Sequence, residues 1–152
     1  VVLLTNQGAP KETIPGGDIE AAIVEIISSA AEIVALNVTS VATDMKGFNR
    51  GDRWIIISRQ GGSYPWPKPE HARIDFECIA ESRAAANDMI RACQTIMFRE
   101  QNNYVGKGVR YISCSVESGI FQSFEKNTDQ TRYVLALRVV HKPDPSSMPA
   151  PG

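Results

Sequence analysis

His71-Ala72-Arg73-Ile74-Asp75-Phe76-Glu77-Cys78-Ile79-Ala80 is the stretch on which the fold turns. Ala72, Ile74, Phe76, Cys78 and Ala80 alternate with Arg73, Asp75 and Glu77, and a period of two places the first set on one face of a β-strand and the second on the other. Ser82 follows with a hydroxyl suited to capping a helix. From there Ala85, Ala86, Met89, Ile90, Cys93, Ile96 and Met97 recur at threes and fours until Gln101-Asn102-Asn103 interrupts the run. A strand apolar on one face, feeding a helix apolar on one face, is the unit of a helix-on-sheet sandwich.

Towards the amino end, Arg53 to Arg59 carries Trp54-Ile55-Ile56-Ile57, apolar on both faces, which predicts a strand covered on both sides. The polar stretch Thr43 to Asp52 reads as a loop, and Asn37 to Ala42 as a short strand. Before it, Asp18 predicts the cap of a helix whose apolar face is Ile19, Ala22, Ile23, Ile26, Ile27, Ala30, Ile33 and Val34, ending near Leu36. Towards the carboxyl end, Gly108 to Glu117 predicts a strand with Ile112, Cys114 and Val116 on one face. Thr131 to His141 predicts another, with Tyr133, Leu135, Leu137 and Val139 opposed to Arg132 and Arg138. The expected fold is α+β: a two-layer sandwich of one mainly antiparallel sheet of about four to five strands with two helices packed on it. Residues 18–142 form the single domain, 1–17 an extended arm, and the Pro-rich 143–152 a loose tail.

At 152 residues one core is expected. Sixteen Lys and Arg against seventeen Asp and Glu leave a net charge of −1, which supplies no long-range field to collect nucleic acid or an anionic membrane. No apolar run approaches the roughly 20 residues of a membrane span, and apolar Val1 to Leu4 has no cationic flank before it, so neither a membrane partner nor a signal peptide is expected. Cys78, Cys93 and Cys114 are widely spaced, with no CxxC pair, and read as reduced, buried thiols. His71 and His141 end predicted strands with no placed acid and read as surface residues. Gly61-Gly62 precedes a strand and lacks the helix that a phosphate loop requires. The reading is of a non-enzyme: no catalytic, cofactor-binding or metal-binding residue is nominated.

Two features suit an interface. Arg73, Asp75 and Glu77 share a strand face beside which Arg110, Arg132 and Arg138 can lie, giving an arginine-laced sheet face that is either solvated or docked on a neighbouring subunit. The loop Gln60 to Glu70 carries Tyr64, Trp66 and Lys68 on a backbone that Pro65, Pro67 and Pro69 stiffen, with Arg59 at its entrance. An aromatic held on a stiff loop suits a protein partner, because little entropy is lost on docking; the plainer alternative folds Trp66 back on its own domain. The interface candidates are therefore Tyr64, Trp66, Lys68, Arg59, Arg73, Asp75, Glu77, Arg132 and Arg138.

Taken in order, the helix from Asp18, the Ser58-Arg59-Gln60-Gly61-Gly62 turn after an apolar strand, Ile74 to Ala80 running into Ser82 and an Ala-rich helix, and Asp129 followed by Arg132-Tyr133 resemble the tail terminator (tail-completion) proteins of long-tailed bacteriophages over roughly residues 18–142. The resemblance implies a virion subunit, assembled in the bacterial host cytoplasm, that forms a hexameric ring with copies of itself. It implies that the ring sits at the head-proximal end of the tail, caps the major tail tube protein and ends its polymerisation. The other side of the ring would meet the head-side connector protein, while genomic DNA passes through the lumen without specific binding. It carries over no catalytic residue and no cofactor. Another head–tail connector ring protein is a second reading, and a small ligand-binding or enzymatic α+β domain, which would need a pocket of convergent polar groups, a third.

Overall fold

Asp18 and Ser82 act as the caps their chemistry suggests. In the computed structural model, which describes residues 17–63, 69–123 and 130–144, Asp18 Oδ1 accepts the Ala21 N–H at 3.0 Å and Ser82 Oγ the Ala85 N–H at 3.2 Å. They open helix α1 (Ile19–Ser28) and helix α3 (Arg83–Arg99). The single helix expected to reach Leu36 is instead two: α1 stops at Ser28, Ala30 is extended, and a short α2 (Ala31–Ala35) follows. Ser29 Oγ donates to Glu25 O at 2.7 Å, a side-chain bond that competes with the helix ladder at this point. Ile33 stays buried, whereas Val34, expected on the same apolar face, is 68% exposed. Asn37, at φ 53°, then ends the helical run.

The strands are β1 (Ser40–Ala42), β2 (Trp54–Ser63), β3 (Glu70–Ala80), β4 (Val105–Gly106), β5 (Val109–Ser123) and β6 (Thr131–Pro143). They form one six-stranded sheet in the order β1-β2-β3-β6-β5-β4. Among the described residues only β1 and β2 pair parallel, so the sheet is mixed. The sixth strand, absent from the sequence reading, is the two-residue β4. It exists because Lys107 and Gly108 take φ 54° and 76° and make the tight turn that folds Val105-Gly106 back on β5. The fold is α+β, with helices on one face of the sheet.

The core lies between the helices and that face. Ile55 and Ile57 of β2, the alternating set of β3, and Leu135, Leu137 and Val139 of β6 pack against the apolar stripes of α1 and α3. The second apolar face of β2 is also accounted for. Trp54 and Ile56 form a small separate cluster with Ile79, and Phe48 of the preceding loop stands edge-on to Trp54 at 5.7 Å.

Two expectations are corrected along the carboxyl strands. The strand expected over 108–117 runs to Ser123, and its register shifts at Tyr111/Ser113, Val116/Ser118 and Ser118/Phe121. The first shift breaks the alternation: Val109, Tyr111 and Cys114 are buried and Ile112 is half-buried, while Val116, in unbroken register with Cys114 and so on the same face, is exposed. His141 is not a surface residue. It pairs in register with Glu70 and with Tyr111 and lies on the helix-covered face at 3% exposure, while His71, one residue along β3, is half-buried. The last strand continues through Pro143, and the Asp144 N–H bonds Gly108 O at 2.8 Å.

Candidate functional site

β3, β6 and β5 turn their other face away from the helices. Alternation sends Arg73, Asp75 and Glu77 of β3 there, with Arg132 and Arg138 of β6 in the neighbouring strand. Arg73 and Arg138 stand directly opposite each other in register, a like-charge pair that would be repulsive if left alone. Glu117 of β5 resolves it: its carboxylate bonds Arg138 and lies 3.8 Å from Arg73, which also pairs with Asp75 at 3.1 Å. Farther along, Arg132 meets Glu77 at 2.8 Å, and at the end of the sheet Arg53 and Glu81 bond each other. The Arg53 pairing holds Glu81 below the usual carboxylate range.

Such half-exposed pairs contribute only about 0.2–1 kcal/mol each to folding. This face is therefore ordered in charge without being what holds the subunit together. Beside it, Phe121 of β5 is 49% exposed on the same face, next to Val134.

Of the remaining candidates, Arg59 stands apart from this face. It shares the helix-covered side of β2 with Ile55 and Ile57, and its guanidinium pairs with Glu70, which is 8% exposed. Glu70 Oε1 lies 3.3 Å from His141 Nε2, but off the line of a hydrogen bond, so that nitrogen is buried without one. Burial pushes the His141 imidazole down to about 4, and Arg59 and His71 add to the shift while Glu70 opposes it. The knot ties β2, β3 and β6 together at one end of the core. Tyr64, Trp66 and Lys68 lie outside the described residues.

A cleft of about 640 Å³ runs beside α1 and is lined by Asp18, Glu20, Glu25, Asp44 and Lys107 among others. Its carboxylates are already committed. Asp18 caps α1, Glu20 Oε2 accepts the Arg59 N–H at 2.9 Å, Glu25 Oε1 accepts the Tyr104 hydroxyl at 2.6 Å, and Asp44 Oδ1 accepts the Lys46 N–H at 2.9 Å. Among the described residues no group of three or more His, Cys, Asp or Glu is placed to hold a metal, and no helix is long and apolar enough to cross a membrane. Cys78 and Cys93 face each other across the core with sulfurs 4.0 Å apart, and burial pushes the Cys78 thiol well above its ordinary value. Cys114 is also buried and raised, which makes it and Cys78 poor nucleophiles, and Cys93 is buried.

The fold has a solved counterpart in a virion. A chain in the structure of the virion of a native gene transfer agent particle superposes with a TM-score of 0.64 at 14% identity, covering 81% of this chain and 93% of that one. Identity that low shows a shared fold. A crystal structure from Akkermansia muciniphila aligns over 87% of this chain and 82% of that one, at 12% identity and a TM-score of 0.36, too loose to carry an argument. No protein-family profile matches the sequence, and no curated protein does.

Sequence reasoning missed Glu117 and the Glu70–His141 pair. Alternation from Cys114 turns Glu117 to the face opposite the helices, but nothing in the sequence brings it beside Arg73 and Arg138, which lie on other strands. Glu70 and His141 lie one residue before and at the end of their predicted strands, and alternation extended by one step would have put both on the apolar side.

Proposed function

We propose that this chain is a structural virion protein, and that it acts as a tail terminator: a ring, hexameric as in the family it resembles, that caps the tail tube, ends its polymerisation and joins the tail to the head-side connector. The observation that carries the reading is the fold shared with a virion chain over nearly all of that chain's length. The order of sequence elements from Asp18 to Tyr133 supports the finer assignment. The charged face is a surface through which copies can meet: its ion pairs are half-exposed, add little to folding, and fix orientation and partner choice when a complementary surface arrives. Arg73, Asp75, Glu77, Arg132 and Arg138 are assigned to it. Tyr64, Trp66 and Lys68, with Arg59 at the root of their loop, are assigned to contacts with a neighbouring copy or the adjoining ring. Tube protein, connector and self are the partners, DNA crosses the lumen unbound, and no step of catalysis is involved.

The test is to add the purified protein to elongating tail tubes. Tubes should stop growing and become competent to join heads. Continued growth at the same rate would sink the terminator assignment, and arrested tubes that still fail to join heads would sink the joining role.

A further inference from the structure

β3 and α3 face each other across the core with a thiol on each. Cys78 lies on the helix-covered side of β3, in register with Ile55 and Tyr133, and Cys93 lies on the apolar stripe of α3 between Ile90 and Ile96. Both side chains are fully buried, and their sulfurs are 4.0 Å apart, where either S–H can donate to the other. Both are free thiols in this structure. A disulfide holds its sulfurs about 2.05 Å apart, so an approach of about 2 Å separates the pair from a covalent link. Rotation about each Cα–Cβ bond and a small settling of α3 on the sheet share that approach between them.

Cys114 offers Cys78 no competing partner. It pairs in register with Val139, six positions along β6 from the Tyr133 that pairs with Cys78, and β6 lies between the two strands. At about 3.3 Å per residue that places them roughly 20 Å apart. The link between Cys78 and Cys93 would close a short loop. They are 15 apart in sequence, and between them lie the end of β3, the Ser82 cap and the first turns of α3. A cross-link of that span restricts the unfolded chain and lowers the equilibrium constant for unfolding by on the order of a hundredfold.

We propose that Cys78 and Cys93 are a redox-sensitive staple: free thiols in a chain folded under reducing conditions, joined as an intrachain disulfide once the chain meets a small disulfide oxidant. One protein thiolate attacks an oxidant sulfur, which forms a mixed disulfide and releases one thiol. The second protein thiolate attacks the protein sulfur of that mixed disulfide and releases the other. Two protein S–H bonds are lost, one S–S bond forms in the protein and one breaks in the oxidant, whose two sulfurs leave as thiols carrying the two electrons and two protons. Burial holds the Cys78 thiol well above its ordinary value, so the closed core does not react. The first attack occurs when α3 lifts from β3 and returns the thiols to water, and the second as the helix settles back. This inference stands independently of the virion reading.

The experiment incubates the full chain with oxidised glutathione just below its thermal midpoint, where local opening is frequent. Remaining thiols are then alkylated in denaturant and the peptides mapped by mass. Free thiols should fall from three to one, with Cys78 joined to Cys93 in the same chain and Cys114 alkylated. Three free thiols would overturn the proposal, as would glutathione left on Cys78 or Cys93, a bond to Cys114, or links between chains. The urea midpoint gives a second readout. It should be higher in the linked chain than in the reduced one and return on adding dithiothreitol; an equal or lower midpoint would show a bond that strains the core, and the staple would have to be abandoned.

Discussion

Phe76 and Glu77 are neighbours on β3, yet they belong to different kinds of surface. Phe76 is fully buried under the helices, while the Glu77 side chain is 32% exposed and answers to Arg132 across the open face. The helix-covered side is close-packed and apolar, with a buried polar knot at its end; the other carries half-exposed ion pairs beside the small cluster of Trp54, Ile56 and Ile79. The contrast locates most of the apolar core on one side of the sheet, and the proposed contacts with neighbouring copies lie on the other.

The contrast breaks first at the core. Phe76→Ala removes a fully buried ring and should cost about 3–5 kcal/mol, a large part of the 5–15 kcal/mol typical of a domain. Glu77→Ala should cost no more than about 1 kcal/mol. Urea midpoints of the two variants check this, and equal losses would erase the distinction between the faces.

The buried knot sharpens it through pH. The His141 imidazole has a folded value near 4 against an ordinary 6.5, so between those values the unfolded chain binds more protons. Its contribution to stability is thus complete above about pH 6.5 and is lost as pH falls towards 4, on the order of 2 kcal/mol. The protonated ring would face Arg59 and His71 as well as Glu70. Stability measured from pH 7 to 4 should fall in the parent and less steeply in His141→Phe; parallel curves would show that other groups carry the acid response.

On the open face, Arg138→Glu should move the thermal midpoint of the isolated subunit only slightly and reduce the yield of tails joined to heads severely. If stability fell as far as in Phe76→Ala, the face would be structural. Trp66→Ala should change subunit stability least and still lower joining, since a buried interface tryptophan is commonly worth about 2 kcal/mol or more at each contact and a ring repeats the loss. A large drop in subunit stability would instead mean that Trp66 packs on its own domain.

The alternation of His71 to Ala80 and the spacing of α3 made the sandwich legible, because each pattern has a single period and one covered face. What stayed hidden depended on departures from period. Ser29 breaks the first helix through a local hydroxyl bond, Lys107 adopts a left-handed turn that makes β4, and the register shift after Tyr111 puts Tyr111 rather than Ile112 in the core beside Cys114. The charged residues of β3 and β6 were legible as a face, whereas Glu117, which reconciles Arg73 with Arg138, was not. His141 was misread because a terminal histidine looks exposed until Glu70 and Tyr111 are known to flank it.

The most direct measurement is averaged imaging of assembled particles carrying a label on this protein. A ring terminator should appear as a single ring of density at the head-proximal end of the tail, present once per particle. Label distributed along the tube, confined to the tail tip, or absent from the particle would contradict the assignment.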